Sequence, residues 1–192
     1  SGEEQGVYLC DDETHHWDDD LALKVANYKN SIITYAIENK YDYLFFVDSD
    51  LLLHPNLIEH LKAANKDIVS EIFWTQWHND RPLEPNVWLF DDYDLVPKRL
   101  GENLSEKEMD LRRTRFLNQL KIPGLYEVGG LGACTLISRA ALIQGVSFKP
   151  IKNLTIHGED RFFCIRAAVL GIELFVDTHY PAYHIYREKD LD

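Results

Sequence analysis

The run Tyr41-Asp-Tyr-Leu-Phe-Phe-Val47 constrains this chain more than any other stretch, because it stops abruptly at Asp48-Ser49-Asp50. Its apolar residues do not alternate with polar ones, which is the pattern of a strand buried on both faces. Two carboxylates one residue apart are costly where a buried strand meets solvent. A hard divalent cation, Mg²⁺ or Mn²⁺, suits such oxygens and is often shared with substrate phosphates. Asp residues also cap turns at strand ends, so the pair alone does not decide the matter.

The segments around this run set the fold class. Val7 to Cys10 reads as a short strand ending at Asp11-Asp12, and an acidic, His-rich loop follows. Leu21 to Asn39 carries Val25, Ile32, Ile33, Ala36 and Ile37 at helical spacing. Pro55 opens a second helix through Ala64, and Asp67 to Trp74 is another strand. Strand, helix, strand, helix, strand predicts an α/β domain with a mostly parallel sheet flanked by helices. From Thr75 to Pro123 the pattern loosens into an excursion over the sheet edge, with a charged helix near Ser105 to Leu120. Tyr126 to Ile137 returns as a strand that opens on glycines. Ser138 to Ile143 is a short helix, Gly158 to Leu170 a clear one ended by Gly171, and Ile172 to Val176 the last strand.

The 192 residues suit one domain with a sizeable core. Net charge is −12, from 20 basic and 32 acidic residues, which argues against nonspecific binding to nucleic acid or an anionic membrane. No apolar stretch is long enough to span a bilayer. No signal peptide is visible, so cytoplasmic location is the expectation. Cys10, Cys134 and Cys164 form no CxxC pair, which predicts buried reduced thiols rather than thiolate-bound zinc.

Three further groups carry candidate chemistry. Glu159-Asp160 falls in the first turn of a helix, where acids complement the dipole but where a carboxylate also stands ready to accept a proton from a hydroxyl. His179 and His184 flank a proline after the last strand, and an imidazole there would complete an oxygen-rich metal site. Gly129-Gly130-Leu131-Gly132 reads either as a turn or as backbone approaching a ligand, and it is no dinucleotide fingerprint because a strand follows it. Trp74, Trp77 and Trp88 are packing residues by default, with stacking on a sugar or base as the other use.

Taken in this order, Asp11-Asp12, Tyr28-Lys-Asn-Ser31, Tyr43-Leu-Phe-Phe-Val-Asp-Ser-Asp50, Gly129-Gly-Leu-Gly-Ala133, Gly158-Glu-Asp160 and His184 resemble the GT-A glycosyltransferases of the family 2 and Anp1-like types. The resemblance covers nearly the whole chain. It implies a GT-A, Rossmann-like fold and a nucleotide-diphosphate sugar donor, commonly a UDP-sugar. The acceptor would be a carbohydrate, lipid or protein hydroxyl, and Mn²⁺ or Mg²⁺ the cofactor. It places Asp11 or Asp12 near the base, and Lys29 and Asn30 beside the donor. Asp50 would hold the metal and Asp48 the ribose or a metal-bound water. His184 would be a further metal ligand or diphosphate contact. Asp160 would act as base with Glu159 in support, and Gly130 and Gly132 would let the backbone pass close to the sugar or acceptor. Such a fold starts one strand and one helix earlier, so the chain reads as N-terminally incomplete.

Rival classes remain open. A haloacid-dehalogenase-type phosphohydrolase also has a strand ending in D-x-D, but here Leu51-Leu-Leu53 follows and Glu159-Asp160 opens a helix. A nucleotidyltransferase shares the metal logic but needs a glycine-rich, basic loop near its first strand. A non-catalytic carbohydrate- or partner-binding domain on the same fold would bind nucleotide-sugar weakly and be indifferent to Asp160→Asn.

Overall fold

The computed structural model describes residues 9–10, 15–16, 18–154, 156 and 158–191, with the backbone alone for the first four. The chain opens with β1 (Leu9–Cys10) and β2 (His15–His16), which pair antiparallel, and then α1 (Asp19–Glu38). Next come β3 (Tyr43–Phe46), β4 (Leu51–Leu52), α2 (Leu57–Ala63) and β5 (Ile68–Thr75). The excursion holds β6 (Glu84–Pro85), β7 (Val87–Trp88) and α3 (Glu106–Gln119). It is followed by β8 (Leu125–Val128), β9 (Gly130–Leu131), β10 (Thr135–Ser138) and α4 (Arg139–Gln144). The last elements are α5 (Glu159–Val169), β11 (Leu174–His184) and a 3₁₀ turn at Glu188–Leu191.

The central sheet is mixed, with strand order β3-β10-β5-β11-β4, and with β6 beside β5 and β8 beside β11. This corrects the mostly parallel sheet read from the sequence. Among the described strands, β11 on β5 is the parallel pair, and β10 lies antiparallel between β3 and β5. The reason is topological. The chain reaches β10 from β8 and β9 without a crossover helix, and parallel neighbours need one. Since β10 opposes both, β3 and β5 still point the same way, as does β11. Their C-terminal ends therefore share one edge of the molecule.

Three local readings also change. β3 is an edge strand among those described, half exposed rather than buried on both faces. The stretch from Tyr126 to Ile137 is three strands, because Cys134 takes a positive φ of 65° and Gly129 presses against the Leu89 carbonyl. β11 continues to His184, since a register shift between Asp177 and Ala182 takes Pro181 out of the ladder it would otherwise interrupt.

Strand alternation gives the sheet two cores. On β5, Ile68 and Ile72 pack with Ile33 and Ala36 of α1, Leu142 of α4 and Phe163 of α5. Val69 and Phe73 face the other way, onto Leu57 and Leu61 of α2. Asp18 caps α1 by accepting from the Leu21 N–H at 2.7 Å, a contribution of about 1 kcal/mol. Burial of Ala26, Ile33 and Ala36 on the core sets the helix rotation, and α1 lines the shared edge with Val25 and Lys29, one turn apart.

Candidate active site

A cleft of about 840 Å³ opens at this edge. Asp48, Ser49 and Asp50 enter it from the end of β3, Phe73 from β5, and His184 from the end of β11. Glu159 and Asp160 reach it from the first turn of α5, and Lys29 from α1. Gly132, Trp77, Trp88, Tyr93 and Tyr186 complete the parts of the wall used below.

Two polar groupings organise the cleft. In the first, the Lys29 ammonium donates to Asp160 Oδ1 at 2.8 Å and to Glu159 Oε1 at 3.2 Å. These side chains are only 15–28% exposed, so the pairing is partly shielded from water. Burial works against the Lys29 charge, but the Asp160 and Glu159 carboxylates outweigh it and raise its pKa. Burial and then the Asp160 charge hold Glu159 above the usual carboxylate range, against the pull of Lys29. Asp160 Oδ2 turns toward Gly132, where a methyl in place of hydrogen would touch it at 3.5 Å.

In the second grouping, His184 Nε2 lies 3.3 Å from Asp50 Oδ2, and its Nδ1 lies 2.7 Å from Thr75 Oγ1. Asp50 Oδ1 is buried and has no hydrogen-bond partner. Asp48 opens onto the cleft, yet its walls withdraw it partly from water. That desolvation, with the Asp160 and Asp50 charges, pushes its pKa up to about 6 against the attraction of Lys29.

Both groupings rest on fixed supports. The buried Arg161 guanidinium donates to the Asp91 carboxylate at 2.9 Å, to the Asp91 carbonyl, and to the Ile156 carbonyl at 2.6 Å. It ties the first turn of α5 to the excursion. Cys164 Sγ sits 3.3 Å from the Leu131 N–H and fastens α5 to β9. Asn86 takes the Phe73 N–H on its Oδ1 and donates to the Glu71 and Ala133 carbonyls, which joins β5 to the loop before β10. Tyr93 stands edge-on to Trp88 at 4.7 Å, and burial, then the Asp160 and Glu159 charges, push its hydroxyl up to about 12.

Of the residues singled out in the sequence, Asp48, Asp50, Lys29, Gly132, Glu159, Asp160 and His184 meet in this cleft. Asn30 does not line it. One residue on from Lys29 the helix has turned by about 100°, and Asn30 Oδ1 accepts the Phe148 N–H at 2.8 Å. Gly130 is buried against Trp88, and a Cβ there would lie 2.5 Å from the indole Cζ2. Asp11 and Asp12 lie outside the described residues, as do Thr155 and His157 of the loop before α5. Trp77 and Trp88 line the cleft, whereas Trp74 packs against the core. Sequence reasoning missed Asn86, Tyr93 and Tyr186. Asn86 and Tyr93 fall in the aromatic- and amide-rich stretch with no periodicity of its own, and Tyr186 lies two residues after His184.

Asp18, Asp19, Asp48, Asp50, Glu84, Glu159 and Asp160 all line the cleft, and Lys29 is the lysine or arginine among its described lining residues. An anionic ligand would be repelled unless a cation came with it. The orphaned Asp50 oxygen and the crowded Asp48 fit that need. Asp50 Oδ2 and His184 Nε2, 3.3 Å apart, put one oxygen and one nitrogen together there. Among the described residues, however, the tightest group of metal-ligating side chains is His60, Asp177 and His179, on the α2 face of the sheet.

No protein-family model matches the chain, and none of the curated proteins compared with it matches. No described helix is long and apolar enough to cross a membrane.

Proposed function

We propose that this chain is a metal-dependent glycosyltransferase that moves a sugar from a nucleoside diphosphate to an acceptor hydroxyl. The observation that carries the proposal is the meeting of Asp50, His184, Asp48, Glu159 and Asp160 in one cleft from β3, β11 and α5. The resemblance to GT-A enzymes, and the co-directed β3, β5 and β11 with the cleft at their C-terminal ends, support it. UDP-sugars are the donors that resemblance favours.

Asp50 and His184, with Asp48 beside them, would hold Mn²⁺ or Mg²⁺, which when bound supplies positive charge for the departing diphosphate. The chain's own residues do the rest. Lys29 holds Asp160 Oδ1 and so aims Oδ2 at the open cleft beside Gly132. Asp160 Oδ2 takes the proton of the acceptor hydroxyl as that oxygen attacks the anomeric carbon. The bond to the nucleoside diphosphate breaks as the new one forms, and its electron pair leaves with the diphosphate. Attack from the face opposite the leaving group inverts the anomeric centre. Trp77, 40% exposed and edge-on to the buried Tyr186 at 5.4 Å, offers a flat face for the donor's sugar or base.

One observation favours a second reading, a non-catalytic binding domain. The 2.8 Å bond from Lys29 ties up one oxygen of the base. Asp160→Asn separates the two. In a coupled assay of nucleoside-diphosphate release with Mn²⁺ and a panel of UDP- and GDP-sugars, the transferase reading expects turnover by the wild type and its collapse in the variant. Nucleotide-sugar binding without turnover in either protein favours the binding domain.

A further inference from the structure

We propose that His60, Asp177 and His179 form a second metal site, for a transition-metal ion of the zinc class, which fastens α2 to the bulged part of β11. The three side chains come from two distant parts of the chain, residue 60 and residues 177–179. His60 is on α2, Asp177 ends the first register of β11 on β5, and His179 lies within the shift that follows it. His60 Nε2 lies 3.2 Å from Asp177 Oδ2, and His179 Nδ1 lies 3.0 Å from Asp177 Oδ1. Their ligand atoms all fall within 4.8 Å of one another. Ligands about 2.0–2.1 Å from a tetrahedral ion sit roughly 3.3 Å apart, so small side-chain rotations would admit one.

A second observation points the same way. Glu71 is the residue beside Asp177 in the β5–β11 register, and it is fully buried. One of its oxygens accepts the N–H of Tyr180, next to His179, and the other is buried with no partner. Two carboxylates are thus shut side by side beneath two imidazoles. A carboxylate buried in this way is either protonated or held beside a positive charge, and an ion on the two imidazoles would supply that charge. Asp177 is 3% exposed while the His60 and His179 side chains are 32% and 41% exposed, so an ion can enter from solvent and keep water as a fourth ligand.

The ligand set decides the metal. Two imidazole nitrogens and one carboxylate suit Zn²⁺ better than Mg²⁺ or Mn²⁺. None of the three residues lines the cleft, so the site is separate from the oxygen-rich one at Asp50.

The test is Zn²⁺ calorimetry on the full chain, run in an Asp50→Ala background to weaken the cleft. The site predicts one Zn²⁺ per chain in that background. Affinity should fall at least about tenfold on adding His60→Gln or His179→Gln, with unchanged circular dichroism in EDTA. The same Asp50→Ala protein gives an independent reading: one equivalent of Zn²⁺ should protect His60 and His179 from diethyl pyrocarbonate, followed by peptide mass spectrometry. Loss of all Zn²⁺ binding in Asp50→Ala, equal affinity in the Gln variants, or no protection of these two histidines would overturn the proposal.

Discussion

Gly130 and Gly132 are two residues apart, yet the structure gives them opposite duties. A Cβ on Gly130 would overlap the Trp88 indole, reaching 2.5 Å from Cζ2 where ordinary carbon contacts begin near 3.4 Å. The indole Nε1 and Cε2 would lie closer still, so the ring would have to retreat by more than about 1 Å. It is only 7% exposed and packed on Tyr93, so any retreat disturbs that packing. Overpacking of this kind costs about 1–3 kcal/mol. At about 2–4 °C per kcal/mol for a chain of this length, Gly130→Ala should lower Tm by about 2–12 °C. A Cβ on Gly132 meets the Asn86 carbonyl and Asp160 Oδ2 at 3.5 Å, an ordinary contact. Gly132→Ala should change stability by less than about 0.5 kcal/mol, and its methyl would cover the oxygen assigned as base and slow turnover. Thermal melts and denaturant titrations of both variants, read beside the release assay, check this. Equal stability losses in the two, or a Gly130→Ala protein as stable as wild type, would refute the reasoning.

Other consequences follow from the same geometry. Asp160→Asn should lower turnover by about 10²–10⁴-fold while leaving the calorimetric Kd for Mn²⁺-nucleotide within about threefold; a parallel loss of both would assign Asp160 to binding instead. Lys29→Met removes the ammonium that opposes the upward shift of Glu159, which burial and the Asp160 charge cause. Glu159 then ionises at still higher pH, so the acid limb of the pH–rate profile should move upward, and an unmoved limb would contradict the pairing. Burial, then the Glu71 charge, push the Cys134 thiol up to about 12, and burial raises Cys164 as well. Iodoacetamide at pH 8 should therefore label both far more slowly in native than in urea-unfolded protein, as followed by peptide mass spectrometry.

The elements that local pattern could specify were legible. The 3.6-residue spacing of Ile33, Ala36 and Ile37 marked α1, and the apolar run around Ile68 marked β5. The placement of β10 between β3 and β5 was not legible, because strand order is set by which faces bury each other across the whole chain. Pro181 hid the second half of β11, since nothing local announces the bulge that accommodates it. At the site, Asp48, Asp50, Glu159, Asp160 and His184 stood out because each sits where a strand or helix meets solvent. The Lys29 bridge could not be foreseen, as it joins residues 130 apart. Asn30 and Gly130 are expected at the site from the resemblance alone. Helix rotation and Trp88 decided where they went.

Calorimetry of UDP and GDP, each with and without Mn²⁺, on the wild type and on Asp50→Ala decides whether the cleft takes a nucleoside diphosphate together with a divalent cation. Binding of one nucleotide that requires Mn²⁺ and disappears in Asp50→Ala is the predicted result. No binding of either nucleotide in the presence of Mn²⁺, or binding indifferent to both the metal and Asp50, would contradict it.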